Sequence, residues 1–91
     1  MKRREYRRIF ASKTGRAIRE AREEQGISQE SLARLIDVSQ TTISNWEYGL
    51  YFPKPPELVA ISVELGISLD ELFKPMVELY KNTITRCRYD D

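Results

Sequence analysis

Gln40, Thr41, Ser44, Asn45 and Tyr48 fall on one side when the stretch 40–48 is wound as a helix at ~100° per residue. Ile43 and Trp46 fall on the other side, with Glu47 beside Ile43. The first side carries no charge and no large aliphatic group. It carries two amides, each able to donate and accept hydrogen bonds at once, and two short hydroxyls. That is the chemistry that reads the edges of base pairs: Gln or Asn bonds adenine with two bonds, and Ser or Thr bonds either way. An ordinary solvated helix face is the competing explanation, but such faces are rich in Lys, Glu and Arg, and this one is neutral.

Positioning such a face requires a second helix and a tight turn. Ser28 and Ser39 are each placed to cap a helix, offering a side-chain oxygen to unpaired backbone N–H groups. Each has an apolar residue just before it and another four after it, Ile27 with Leu32 and Val38 with Ile43. That pairing is a hydrophobic staple, which fixes the angle of entry into a helix. Between the two helices, Ile36-Asp37-Val38-Ser39 allows only an abrupt change of direction.

These residues resemble the helix-turn-helix of the lambdoid phage repressor and Cro family, also called the xenobiotic-response-element family. The resemblance is carried by Ser28-Gln29, Leu32-Ala33, Val38-Ser39-Gln40, Ile43-Ser44, Trp46-Glu47 and Gly49. It extends to Ile18, Arg22 and Gly26 upstream and to Leu58, Leu65-Gly66-Ile67-Ser68 and Leu72-Phe73 downstream, roughly residues 15 to 74. Asp37 departs from the family, which often has Gly in the turn; Asp tolerates the left-handed conformation better than most residues. The resemblance implies an all-α, compact five-helix lambda-repressor-like domain that binds double-stranded DNA, with the helix at 40–48 in the major groove. Carried over position by position, Gln40 bonds a base, and Thr41, Ser44 and Asn45 add readout. Gln29 bonds a phosphate and braces Gln40, and the N-terminal amides of the helix after Ser28 hold a phosphate. Tyr48, Tyr51 and Lys54 are further phosphate candidates. Arg22 and Glu47 are charges standing in otherwise apolar stripes. Buried charges persist when paired, so the two are expected to pair, as the resemblance also implies.

Composition narrows the classes. Ninety-one residues make one domain, and the chain carries 15 basic and 14 acidic residues for a net charge of +1. The distribution is uneven: nine of the basic residues lie among the first 22, against two glutamates, a pattern that often marks a nucleic-acid-facing end. With no histidine and the single Cys87, neither a zinc site nor an internal disulfide is expected. No nucleophile–base arrangement or phosphate-cradling glycine loop can be placed, so an enzyme is not expected, and no cofactor is called for. The absence of a signal-like or membrane-spanning run points to a cytoplasmic protein.

Three regions surround the motif. Residues 1–13 are basic through Lys2, Arg3, Arg4, Arg7 and Arg8, with Tyr6, Ile9 and Phe10 at helical spacing. They read as an arm along DNA, a docked helix or a disordered terminus. Residues 14–74 form the domain, beginning with a helix over 14–25 whose inner face is Ile18, Ala21, Arg22 and Gln25. The linker at 50–56, stiffened by three prolines, opens a fourth helix with the stripe Leu58, Ile61, Ser62 and Leu65. A fifth starts at Ser68, with Glu71 reaching back to complete the cap, and is cut short or followed by another at Pro75. Residues 75–91 are an extension, helix or strand, in which 83–89 alternate. A homodimer on a palindromic operator is expected, with Leu69, Phe73, Met76, Leu79 and Tyr80 as interface candidates. The functional expectation is a sequence-specific transcriptional regulator, with repression favoured. The alternative is an antitoxin or adaptor that binds a protein partner through 76–91.

Overall fold

The computed structural model describes residues 3–82, which form five α-helices: α1 (Arg3–Glu24), α2 (Gln29–Ile36), α3 (Gln40–Glu47), α4 (Pro55–Leu65) and α5 (Leu69–Tyr80). No strand is present among these residues, and the all-α expectation holds. Each helix supplies one aliphatic side chain that is completely buried: Ile18, Leu32, Ile43, Ile61 and Leu72. Removing such a side chain from water contributes roughly 1.5–3 kcal/mol. Trp46, Leu58, Leu65, Ala21 and Ala33 complete the cluster, and the staple residues Ile27 and Val38 pack against it.

The local signals act as their chemistry requires. Ser28, Ser39 and Ser68 each accept a hydrogen bond from the backbone N–H three residues on. At α5 this is the only half of the cap that forms: the expected return bond from the Glu71 side chain is not among the hydrogen bonds of the described residues. The return bond appears instead at α4, where the Lys54 N–H donates to Glu57 Oε1 at 2.8 Å. Asp37 closes α2 at φ 59°, ψ 50°, in the left-handed region, and is the one non-glycine residue with positive φ among those described.

Four expectations are corrected. No helix boundary falls at residue 14, because α1 runs unbroken from Arg3. Tyr6 and Ala11 are buried, so the N-terminal half of α1 packs onto the body. Gln25, expected on the inner face, is exposed beyond the end of α1. Pro75 neither stops nor restarts a helix but lies inside α5. It forfeits the bond to the Glu71 carbonyl, a loss offset by the burial of Met76 one residue later. Met76, a dimer candidate, belongs to the domain's own interior: it is 3 % exposed, and the Thr14 hydroxyl donates to its sulfur.

The packing of α1 on α3 depends on a glycine. A Cβ at Gly15 would overlap the carbonyl oxygen of Trp46 and stand 2.9 Å from that of Glu47. Only the absence of a side chain lets the two backbones meet. Three residues earlier, Ser12 lies against Gly49, whose φ of 76° and close neighbour both exclude a side chain.

Candidate nucleic-acid interface

Gln40 and Thr41 begin α3 and are exposed, one turn ahead of the half-buried Ser44 and Asn45, and Tyr48 follows at 75 % exposure. Beneath them Ile43 and Trp46 are locked in the core. Rotation of α3 about its axis is thereby fixed, and the neutral face is turned outward. None of the side-chain hydrogen bonds among the described residues involves Gln40, Thr41, Ser44 or Asn45, so their donors and acceptors remain open. Thr42 is different: its Oγ1 lies 2.8 Å from the Ser39 hydroxyl and it belongs to the cap.

Behind this face the charges pair in a fork. Arg22 Nε and Nη2 donate to the two oxygens of Glu47 at 2.7 and 3.0 Å, and Nη1 donates to the Ile27 carbonyl at 2.8 Å. The side chains are 12 % and 4 % exposed. Hydrogen bonding to Glu47 raises the Arg22 pKa above its already high ordinary value, and burial opposes the rise without reversing it. The pair ties α1, the turn before α2 and α3 together. Gln29 Nε2 also donates to Glu47 Oε1, at 3.0 Å. The amide expected to brace Gln40 is bonded here to Glu47, and no side-chain hydrogen bond between Gln29 and Gln40 occurs among the described residues.

Around that fork lies a small polar notch lined by Arg19, Arg22, Gln29, Glu47 and Tyr48. Arg19 was not singled out from the sequence. Its signal was spacing: it stands three residues before Arg22, on the same side of α1. It is more than half exposed and shares its charge with Glu23 at 3.1 Å. Ser28 has its oxygen committed to the Ser31 N–H and hydroxyl. Tyr51 and Lys54 are exposed on the linker, and Arg3, Arg4, Arg7 and Arg8 are exposed along α1. Lys2 and the alternating stretch 83–89 lie outside the described residues.

The structure thus brings together a capped two-helix unit, an outward neutral face and a polar notch beside it. A helix-turn-helix family model matches residues 18–72, from the middle of α1 to the buried Leu72 of α5. The chain belongs to the Cro/C1-type helix-turn-helix family. Over 55 residues it is also 36 % identical to the HTH-type transcriptional activator BcrR of Enterococcus faecalis. That alignment covers 60 % of this chain and 27 % of the relative, so the matched segment spans about a quarter of the length of that protein. No helix among the described residues is long and apolar enough to cross a membrane.

Proposed function

We propose that this helix-turn-helix protein is a sequence-specific transcriptional regulator that reads double-stranded DNA with α3 in the major groove. The observation that carries the reading is the outward face of Gln40, Thr41, Ser44 and Asn45, held rigidly from behind yet without internal hydrogen bonds of its own. Gln40 and Thr41, at the N-terminal end, reach base edges first. Phosphates fall to the N-terminal amides of α2, to Arg19 and Tyr48 at the notch, and to Tyr51 and Lys54 on the linker. Gln29, held by Glu47 through one N–H, keeps the other for a phosphate.

The regulator works as a homodimer in this reading, because one such domain spans only a few base pairs. Two copies read a palindrome with half-sites about one helical turn apart, ~34 Å. Leu69, Leu79 and Tyr80 remain as exposed or partly exposed candidates for the contact, and Phe73 is half-buried and stacks near Phe52. Repression is the favoured output, since occlusion of a promoter needs nothing beyond occupancy; activation is the named role of the relative. Selecting bound duplexes from a random pool tests the reading directly. A single enriched palindrome is the expected result. A pool that stays random after repeated rounds would refute sequence readout and leave the antitoxin or adaptor role.

A further inference from the structure

The N-terminal half of α1, the C-terminal half of α5 and the linker after α3 enclose a groove of about 660 Å³, within the size range of small-molecule sites. Phe52 and Phe73 form one wall, nearly parallel with centroids 6.3 Å apart. Tyr6, Phe10 and Tyr80 form the other: the Tyr6 ring lies 4.0 Å from Phe10 and meets Tyr80 edge-on at 5.9 Å. Val77 lies between them and Lys81 stands at the lip.

Three polar groups break this apolar lining: the hydroxyls of Tyr6 and Tyr80 and the ammonium of Lys81. The Tyr6 hydroxyl is buried and, among the described residues, is the only buried side-chain N or O atom without a hydrogen-bond partner. Native proteins seldom leave such a donor unpaired, and each case calls for an explanation. Lys81 is the only charged residue of the lining among the described residues. Tyr80, whose ring meets that of Tyr6 edge-on, is 42 % exposed.

We propose that this groove is a binding site for a ring-bearing small molecule that carries one anionic oxygen group, a carboxylate or sulfonate. Its rings lie between the two aromatic walls. Its oxygens accept from the Tyr6 hydroxyl, uncovered as Tyr80 turns, and pair with the Lys81 ammonium. A second copy of the chain is a poorer occupant. A two-fold contact sets a surface against itself, which would bring Lys81 towards Lys81 and one unpaired donor towards another, with no acidic residue among the described lining residues to answer either. The site is independent of the DNA-reading face and stands or falls separately from it.

The test uses the folded full chain and 1-anilinonaphthalene-8-sulfonate, a sulfonate with two aromatic ring systems that fluoresces when removed from water. Saturable binding of one probe per chain is expected. Tyr6→Phe should weaken it roughly tenfold, the worth of one hydrogen bond to a charged group, and Lys81→Met should weaken it similarly. Val77→Trp should abolish it by filling the groove, with circular dichroism confirming the fold. Should that variant fail to fold, Tyr6→Phe, which removes only one oxygen, still decides. Three results would overturn the site: no binding, binding indifferent to Tyr6→Phe, or binding that disappears as the chain self-associates at higher concentration. The last would mark the groove as an interface between copies.

Discussion

At the scale of single residues, function and stability rest on different side chains of the same helix. Gln40 is exposed and supports nothing inside the molecule. Gln40→Ala is therefore expected to leave the melting temperature in place while costing ~1–3 kcal/mol of affinity for the selected duplex and relaxing choice at one base pair per half-site. Titration against all four base substitutions checks this. Glu47 is the reverse case. Arg22→Met or Glu47→Gln alone strands a buried partner, at a cost of up to ~3–5 kcal/mol, and the double variant should recover part of it. Strictly additive losses in denaturant unfolding would show that the fork contributes no coupling. Tyr6 supplies a pH dependence. Burial, followed by the neighbouring Tyr80, raises its pKa above the ordinary 10.0. The unfolded chain therefore loses the phenolic proton first, and stability present below pH ~10 should decline as pH rises towards the folded-state value. Tyr6→Phe should flatten that decline in a series of melts from pH 8 upward.

At the scale of elements, the contact between α1 and α3 invites a prediction that runs against helix propensity. Ala is better than Gly in a helix by about 1 kcal/mol, yet Gly15→Ala should destabilise the fold by roughly 1–3 kcal/mol or more, because the new carbon meets a backbone oxygen that cannot step aside. Gly66→Ala meets open space and bears only the left-handed penalty of about 1–2 kcal/mol. Of the two, Gly15→Ala should weaken DNA binding more for the same loss of stability, since it displaces the reading helix. What the sequence revealed about these elements follows from the range of the forces involved. The caps at Ser28, Ser39 and Ser68, the staples and the turn at Asp37 depend on residues within five positions, and they were legible. The Arg22–Glu47 pair was legible because a charge in an apolar stripe demands an answer. Continuation of α1 back to Arg3, continuation of α5 through Pro75 and burial of Met76 all arise from α1 packing on α5. Thr14 and Met76 are 62 residues apart, and no local pattern announces such a contact. The bond from Gln29 to Glu47 was not legible, because hydrogen-bond geometry between helices is not written in periodicity.

At the scale of the whole molecule, the basic N-terminus is a charged helix surface rather than a loose arm. Substituting Arg3, Arg4, Arg7 and Arg8 together by Gln keeps Tyr6 and the helix in place. It should lower non-specific and specific affinity alike and flatten the dependence of log K on log salt by about one unit for each phosphate contact removed. An unchanged slope would place these arginines away from the duplex. The two glycine contacts carry a further meaning at this scale. Glycines inside or beside helices are ordinarily read as places where a chain gives way. Here Gly15 and Gly49 let α1 and α3 touch without side chains between them, at points only three residues apart along α1, Ser12 and Gly15. The joint behaves as a weld. At that joint main chain meets main chain, so no change of rotamer there can alter the angle between α1 and the reading helix.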